Sequence, residues 1–425
     1  MPHGAKLRHK WKAKVLDWSE PFIQSHSRPV AKLIAEVISG ILGSGSLQLT
    51  EIARALKEPK RLHHTVKRLS RMLGKHELWE RLEAEVLHRL APQVREEMVL
   101  ALDPGDLNRN GAPKSEQRGR IRDGSTGEIV GGYPLLSVVA RDVKTAITLP
   151  LYTRLYSSEA DDFVSENDAI LTAMSRIQSA LGQRHLWVID RGGDRGKLWE
   201  TWLEEKDGET AYEVLVRAAN QRHWQWGRIK GTAQELAKQI PCKHRGRLRR
   251  GADKEIRFGL TRVRLPERPD RPLTFIVVRH GKSEPMVLLS TRLVRGRRQG
   301  ERLIHSYLDR WACEEGYRFS KQGFGLEKVQ ARSYKVLRNL VALATISWAM
   351  LAKEQEQKHS EDLLQRGKRQ KDQRRHRPKF PFYSILKGWQ RLFAEARTML
   401  HDRLRPKYHR PPLQQLPLPG MELRL

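Results

Sequence analysis

Apolar residues in the first hundred positions of the chain follow a single period. They recur three and four positions apart over 30–38 and again over 47–73, which is the spacing of amphipathic helices. Strand-like alternation does not interrupt this pattern before residue 98. We therefore predict an all-helical first domain over residues 1–97.

A helix-turn-helix pattern lies within this domain. Residues 49–56 and 62–73 have helical periodicity, and the polar residues 57–61 separate them. Such a pair of helices can place a basic helix in the major groove of DNA, but the same spacing occurs in ordinary bundles with a solvated basic face. Both interpretations stay open. The second helix would carry the cations Lys67, Arg68 and Arg71.

The next part of the chain alternates between strand and helix patterns. Helices are predicted over 162–181 and from Lys197 onward. This order indicates an α/β domain. Short apolar runs bounded by turn residues predict strands at 99–103, 134–142, 146–156, 186–190 and 213–217.

A strongly basic stretch then interrupts the α/β pattern. Residues 217–298 contain 22 lysines and arginines against 6 acidic residues. Their β-like runs at 274–278 and 286–289 predict a β-rich insertion. Helices are predicted after it, at about 300–321 and 331–353.

The overall charge points to a polyanionic partner. The 425 residues include 80 lysines and arginines and 49 acidic residues, for a net charge of +31 and a pI near 10.4. Ribosomal and membrane-surface proteins share such a charge, but they are usually shorter or carry a basic amphipathic helix. A chain this long, with 39% hydrophobic residues, can still build a core, so nucleic acid is the favoured partner.

Cysteine content and hydropathy indicate the cellular compartment in which the protein acts. Cys242 and Cys313 lie outside any CxxC pattern, so we expect free thiols in a reducing cytosol rather than a disulfide framework or a zinc site. The basic start of the chain lacks the apolar stretch of a secretory signal. The longest apolar run, 340–352, is too short to span a bilayer and predicts a buried helix. We therefore expect a cytoplasmic protein that does not enter membranes.

Two aspartates stand at the ends of predicted buried strands. Asp103 follows the apolar run 99–102, and Asp190 follows 186–189 and precedes a Gly-rich turn. In α/β proteins the carboxyl ends of strands open on the crevice that binds ligands. Aspartate also ends strands as an ordinary turn residue or helix cap, and this is the alternative for either residue alone.

A third acid belongs to a polar helix pattern. Tyr307, Arg310, Glu314 and Lys321 are spaced at offsets of three, seven and fourteen residues. At about 100° per residue these side chains fall within roughly 60° of a helix circumference. One face of a single helix would then present a phenol, a carboxylate and two cations to phosphate groups.

Three carboxylates beside a basic surface suit two Mg²⁺ ions, which prefer oxygen ligands and support phosphoryl transfer. Two other acids compete for these roles. Asp106 is expected past the strand end, as a turn residue, and Glu315 would point about 100° away from the Glu314 face. The sequence has no Walker motif, no nucleophile elbow and no HExxH pattern, so nucleotide triphosphates, serine catalysis and zinc hydrolysis are not indicated.

The order of these acids resembles a known family. Asp103, Asp190 and Glu314, with Tyr-x2-Arg-x3-Glu-x6-Lys around the last acid, resemble the DDE transposases of bacterial insertion sequences, in the branch with the Tyr-Arg-Glu-Lys signature. The segment Asp190-Arg191-Gly192-Gly193-Asp194 is similar to the Asp-Arg-x-x-Asp box of that family. The resemblance covers roughly residues 99–345.

The resemblance implies an α/β fold with a ribonuclease-H-like core and a mostly β insertion between the second Asp and the Glu, where the basic stretch lies. The implied organisation has five parts. They are a helical DNA-binding domain (1–97), the first part of the core (98–216), a basic β-rich insertion (217–298), the last part of the core with the Glu-bearing helix (299–354), and a basic, Pro-rich C-terminal region (355–425) that includes a predicted flexible run at 366–379.

The resemblance also implies roles for particular residues. Asp103, Asp190 and Glu314 would bind Mg²⁺, for which Mn²⁺ can substitute. Tyr307, Arg310 and Lys321 would contact phosphates at the transposon end and help hold a hairpin intermediate, although whether hairpins form is left open. Trp224 and Trp226 are candidates for stacking a flipped base, with burial in the core as the alternative for both.

The implied activity is DNA transposition. Such an enzyme binds terminal inverted repeats, cleaves the transposon ends and joins the freed 3′ hydroxyls to double-stranded target DNA, as a homodimer in a synaptic complex. It would act in the bacterial cytoplasm, on the nucleoid when bound to DNA. A structure-specific, metal-dependent nuclease of the same fold and a non-catalytic DNA-binding protein are the two alternatives.

Overall fold

A computed structural model describes residues 3–24, 26–206, 208–248, 254–281, 283–355, 360–367 and 380–391. Most of the predicted flexible run, residues 368–379, lies outside the described residues. So does the Pro-rich end from residue 392 onward.

The described residues before Val99 are helical, as the apolar period predicts. The two helices of the helix-turn-helix pattern are present, α3 at the predicted bounds and α4 two residues longer. The helices are α1 (His3–Ile23), α2 (Arg28–Ser44), α3 (Leu49–Leu56), α4 (Leu62–Lys75) and α5 (Trp79–Leu90), followed by a 3₁₀ turn at Ala91–Gln93.

Strands and helices alternate after this region, which confirms the α/β class. The strands up to residue 217 are β1 (Val99–Asn108), β2 (Gly119–Arg122), β3 (Ile129–Arg141), β4 (Thr148–Leu155), β5 (Leu186–Ile189), β6 (Glu205–Lys206), β7 (Glu209–Thr210) and β8 (Glu213–Arg217). Helix α6 (Glu166–Leu181) precedes β5, and α7 (Gly196–Trp202) follows it.

The basic stretch is rich in strands, as predicted. It contains β9 (His223–Trp226), β10 (Ile229–Thr232), α8 (Ala233–Gln239), β11 (His244–Leu248), β12 (Lys254–Leu265), β13 (Arg268–Arg279) and β14 (Met286–Ser290). The remaining elements are α9 (Arg297–Asp309), α10 (Trp311–Arg318), a π-helical turn at Phe319–Gly323, a 3₁₀ turn at Leu326–Lys328, α11 (Tyr334–Glu354), α12 (Ser360–Gly367) and a helical segment at 382–391.

Twelve of the described strands form a single sheet. Its order is β10-β9-β12-β13-β14-β8-β5-β1-β3-β2, with β11 paired to β12 and β4 paired to β3. The pairs β1–β5 and β5–β8 are parallel, and the other pairs in the sheet are antiparallel. The strands of the basic stretch therefore extend the same sheet beyond β8 and do not build a second one.

The sheet is buried on both faces. Alternate residues of the central strands pack under α9, where Leu303, Ile304 and Tyr307 form a cluster with Val188 and Leu215. The intervening residues belong to the larger core, which also contains side chains from α2, α5, α6 and α11. Burial of both faces explains why the central strands read as continuous apolar runs rather than alternating ones.

Strand β1 is longer than the predicted 99–103. It pairs with β3 over all ten of its residues, but its parallel ladder with β5 ends at the pair Leu102 and Ile189. The prediction that Asp106 lies past the strand end is therefore wrong, because Asp106 pairs with Pro134 inside the ladder. The residues Pro104 and Gly105 resemble a turn locally, and only the long partner strand makes them extended.

Helix α11 ties the first helices to the rest of the protein. Asn339 accepts from the backbone N–H groups of Leu78 and Trp79, both at 2.9 Å, and donates to the carbonyls of Leu73 and His76. All the hydrogen-bonding capacity of this buried amide is thus used at the joint between α4 and α5.

The apolar run 340–352 lies in α11 and is buried, as predicted. Among the described residues, α11 is long and apolar enough to cross a membrane, but 94% of its apolar window is covered by the protein itself. Helices α2 and α3 meet the same criterion only as a pair bent by 95°.

Candidate active site

Three neighbouring parallel strands end at one level of the sheet. Leu102, Ile189 and Val216 are register partners across β1, β5 and β8. The next residues along these strands are Asp103, Asp190 and Arg217. Because adjacent strands lie about 4.8 Å apart, the three residues form a row across the carboxyl ends of the parallel strands.

This row faces α9 and α10. Val99, Val188 and Leu215 pack in the cluster under α9, and side chains two positions apart in a strand share a face. Asp103, Asp190 and Arg217 lie four, two and two positions beyond them. The row therefore projects toward the helices that carry Tyr307, Arg310 and Glu314.

Arg310 joins two of the predicted catalytic acids. Its Nη1 donates to Asp103 Oδ1 at 2.8 Å, and its Nη2 forms an ion pair with Glu314. The structure thus brings Asp103 and Glu314 together through a guanidinium group, and Asp190 lies beside Asp103 in the row. Residues separated by 207 positions in sequence meet at this point.

The environment of Asp103 opposes its ionisation. Burial is the largest cause, and together with the nearby carboxylates of Asp190 and Glu314 it raises the pKa of Asp103 to about 7, against the opposing effect of Arg310. A cation is therefore needed to keep this carboxylate charged. Arg310 supplies that charge in the structure. Burial acts to lower the pKa of Arg310, but the combined effect of Asp103 and the other acidic groups around it is larger and raises that pKa.

Asp190 also organises the turn that follows β5. It caps the short 3₁₀ turn Arg191–Gly193 by accepting from the Gly192 N–H at 2.8 Å. Asp194, the last acid of the box, is buried and accepts from Trp199 Nε1 at 2.8 Å and from the Ala219 N–H at 2.6 Å. Asp194 therefore fixes the turn to α7 and to the segment after β8, and it does not face the row.

The predicted single helix over 300–321 is divided. Helix α9 ends at Asp309, α10 begins at Trp311, and Lys321 lies in the π-helical turn. The four residues of the signature therefore do not share one continuous α-helical face. Lys321 pairs with Asp106 at 2.9 Å and with Glu327 at 3.2 Å.

Close packing against the sheet positions α10. The hydroxyl of Tyr317 donates to the carbonyl oxygens of Asp103 and Leu135. A Cβ on Gly105 would lie 2.6 Å from the Tyr317 ring, so glycine is required at this point of β1. The resulting approach of α10 to β1 sets the position of Glu314 relative to Asp103.

Tyr307 lies next to Arg310 but is buried. Only 7% of its surface is exposed, and the Arg310 guanidinium carbon lies 5.9 Å from its ring centre. Burial raises the pKa of Tyr307, and the charges of Arg310 and Arg217 act in the opposite direction. The phenol therefore lies within the electrostatic influence of two arginines of the site.

Glu315 points away from this centre, as predicted. It accepts from Trp311 Nε1 at 3.0 Å, pairs with Arg318, and lines a cavity of about 1250 Å³ on the other side of the helix. The described lining of that cavity includes neither Glu314 nor the two aspartates of the row.

The acids do not form a metal site in the observed arrangement. Among the described residues, no group of three or more His, Cys, Asp or Glu side chains is positioned to hold a metal ion. The donor set is nevertheless chemically suited to Mg²⁺, because it consists entirely of carboxylate oxygens. Since Arg310 engages Asp103 and Glu314, an ion would bind there only after the guanidinium releases part of its contacts.

The predicted aromatic and helical DNA contacts occupy different environments. Trp224 is fully buried and meets the Trp199 ring edge-on at 5.8 Å, whereas Trp226 is half-buried. The environment of Trp224 favours the alternative of a core residue. On α4, Lys67 and Arg71 are exposed.

Arg68, in contrast, is engaged within the protein. It pairs with Glu36 at 2.7 Å and with Glu58 at 2.8 Å, and so links α4 to α2 and to the turn that precedes α4. Its charge is therefore largely used in holding the helices together.

Arg217 is the member of the site that sequence reasoning missed. The run Glu213–Arg217 predicts a strand, but its last residue belongs to no motif. The signal for Arg217 is positional, because it ends an apolar strand in the same manner as Asp103 and Asp190 end theirs.

Comparisons with known proteins give a distant structural likeness. No protein-family model matches the sequence, and no curated protein matches it. The fold is similar to a cryo-EM structure of a piggyBac transposase synaptic complex with hairpin DNA, with a TM-score of 0.45 and 11% identity over 97% of this chain and 84% of that one.

Proposed function

We propose that the protein is a DNA transposase of the DDE type, with a ribonuclease-H-like core and the Tyr-Arg-Glu-Lys signature of the bacterial insertion-sequence branch. The observation that carries the proposal is the convergence of Asp103, Asp190 and Glu314 around Arg310 at the carboxyl ends of the parallel strands. Ligand sites of open α/β sheets lie at this edge.

The order of elements supports the same proposal. The strands β9–β13 lie between Asp190 and Glu314 in sequence, where the family has its β-rich insertion. Their stretch carries much of the net charge of +31, which suits a duplex DNA partner. Lys67 and Arg71 on the second helix of the helix-turn-helix pattern are exposed and available for end recognition.

Asp103, Asp190 and Glu314 are the residues that would hold Mg²⁺, or Mn²⁺ in its place. Bound there, the metal would supply charge neutralisation at the phosphate and activation of the attacking oxygen. Arg310 would then be free to turn from Glu314 toward a phosphate of the transposon end. Tyr307 would support the same strand from the α9 side, and Lys321 from its position beside Asp106.

The proposed reaction sequence cleaves both transposon ends and joins the 3′ hydroxyls to target DNA, with hairpin formation on the flanking strand as an optional step. Two ends must be paired for this, so we propose a homodimer in the synaptic complex. The proposed location is the bacterial cytoplasm, on the nucleoid.

The decisive experiment uses labelled DNA that spans the inverted repeat flanking the gene. We expect Mg²⁺-dependent cleavage at the repeat boundary by the wild type and none by Glu314→Gln. Glu315→Gln is the matched control, because the neighbouring acid faces the other side of α10, and it should cleave normally.

A joining assay with pre-cut ends separates the alternatives. Strand transfer supports the transposase, whereas cleavage without joining indicates a structure-specific nuclease. Binding of the repeat without cleavage or joining would overturn the enzymatic proposal and leave a DNA-binding protein.

A further inference from the structure

The cations around the carboxylates differ in how far they are already neutralised. Arg310 pairs with Asp103 and Glu314, and Lys321 pairs with Asp106 and Glu327. The positive charges of Arg310 and Lys321 are therefore both neutralised by ion pairs within the protein.

Arg217 is different. Among the described residues its side chain forms no hydrogen bond and no ion pair, and its charge acts on the Tyr307 phenol. Its side chain is half-buried at the end of β8, so its guanidinium is neither fully solvated nor internally compensated. A cation in that condition gains more from an incoming anion than one already held in an ion pair.

The location of Arg217 specifies which anion it can meet. It stands next to Asp190 in the row across β1, β5 and β8, on the opposite side of Asp190 from Asp103. Arg310 contacts the row at Asp103, and Arg217 forms the opposite end of the row. The charges of both arginines act on the Tyr307 phenol. A DNA strand whose phosphate is attacked at the acids would pass its neighbouring phosphate over Arg217.

We propose that Arg217 is a substrate-binding residue of this site, which anchors one DNA phosphate adjacent to the scissile phosphate through its guanidinium group. This rests on the proposed function. A guanidinium presents two parallel N–H donors to phosphate, so Lys at this position would replace the charge but not the bidentate contact.

The test compares Arg217→Gln, Arg217→Lys and Arg120→Gln in equilibrium binding to the repeat-end DNA, in EDTA and over a range of salt concentrations. Arg120 is the control because it is an exposed arginine on β2, outside both the row and the basic stretch. A second series replaces single phosphates around the cleavage boundary by neutral methylphosphonates.

For Arg217→Gln we expect affinity about tenfold weaker than wild type and a salt slope reduced by about 0.9, the value for one lost phosphate contact. Wild type and Arg120→Gln should bind more weakly when one particular phosphate beside the boundary is replaced by a methylphosphonate, and the affinity of Arg217→Gln should not change with that replacement. Arg217→Lys should recover part of the affinity. Unchanged thermal unfolding of each variant shows that the fold is retained.

The inference is overturned if Arg217→Gln binds like wild type, or if it keeps the same methylphosphonate sensitivity. It is also overturned if the weaker DNA binding of Arg217→Gln is accompanied by an unfolding temperature clearly below that of wild type, since the residue would then be structural. Failure of the wild type itself to bind the repeat end would instead contradict the proposed function.

Discussion

The protein contains two buried carboxylate–arginine pairs that look alike in isolation. Asp103 meets Arg310 at the end of the parallel strands, and Glu83 of α5 meets Arg154 of β4, each with an N–O distance of 2.8 Å. Burial raises the pKa of both acids to about 7. Neither the ion pair nor the shifted pKa distinguishes the two regions.

Their surroundings do. The charges that act on Glu83 besides Arg154 are those of Arg176 and Arg338, and all of them favour the carboxylate. Arg154 is also held between the rings of Trp79 and Tyr152, at 4.6 and 5.4 Å from their centres. At Asp103 the additional charges are two carboxylates, which disfavour a third negative charge. Accumulated like charge, rather than burial, therefore distinguishes the surroundings of Asp103 from those of Glu83.

The largest difference between the two regions should appear in activity. Glu314→Gln, Asp103→Asn and Asp190→Asn are each expected to lower strand cleavage by at least about 10³-fold, or roughly 4 kcal/mol of activation free energy, with end binding retained. Glu83→Gln should cleave within a few fold of wild type. Cleavage and gel-shift assays on the same DNA measure both; a folded Glu83→Gln protein without cleavage would contradict the distinction.

Removal of the arginines should separate the pairs by their response to metal. Arg154→Ala leaves a buried, unpaired carboxylate and should lower the free energy of unfolding by about 3 kcal/mol or more. Arg310→Ala should also destabilise the protein in EDTA, but Mg²⁺ should restore part of the loss because a metal can replace the guanidinium. Thermal unfolding with and without Mg²⁺ measures this, and equal responses of the two variants would remove the contrast.

The pH dependence of stability should report Glu83. Its pKa is about 7 in the folded protein and near 4.5 when the chain is unfolded, so the unfolded state loses its proton first as the pH rises. Wild-type stability relative to Glu83→Gln should therefore fall between pH 4.5 and about 7, by up to roughly 3 kcal/mol, and level off above that. Urea unfolding at pH 5 and pH 8 checks the sign; a rise with pH would mean that Arg154 dominates the pair.

Helix α4 also carries both a cation held in ion pairs within the protein, Arg68, and exposed cations, Lys67 and Arg71. The expected effects on DNA binding are smaller here. Lys67→Ala and Arg71→Ala should each weaken binding of the repeat end several-fold and reduce its salt dependence. Arg68→Ala should instead lower stability, because Arg68 joins Glu36 and Glu58. Salt-dependent binding isotherms and thermal unfolding of the three variants distinguish the roles, and a stability loss confined to Lys67→Ala would reverse them.

The smallest effects are expected at the two neighbouring acids. Glu315→Ala should leave cleavage unchanged, since Glu315 contacts Trp311 and Arg318 on the far side of α10. Asp106→Ala should retain measurable cleavage with a modest loss of stability, because it releases Lys321. A loss comparable with that of Glu314→Gln in either variant would show that the acids have been assigned incorrectly.

Several elements were readable from sequence because their patterns are local. The period of the first helices gave α3 at its observed bounds, and the run at 213–217 gave β8. Burial of the apolar run in α11 also followed from its length. Strand β2 was not predicted, since its four residues alternate arginine with only one large apolar side chain, Ile121, and it exists as an edge strand on the long β3.

The site shows the limit of such reasoning. Helical spacing grouped Lys321 with Arg310, but the break at Arg310 and the π-helical turn place Lys321 beside Asp106. Between the two breaks, Tyr317 contacts the sheet and Gly316 lies against Trp348, and no periodicity encodes such contacts.

What the sequence by itself determined is an excess of positive charge, the order of three acids along the chain, and most of the helices and strands that carry them. These depend on side-chain types and on periods of two to four residues, which are properties of short segments. The tertiary structure decided which of the described cations near these acids form ion pairs and which do not. Register between strands places Arg217 beside Asp190, and contact across 207 residues joins Arg310 to Asp103. Ion pairing depends on distance in space, and spacing along the chain does not encode it.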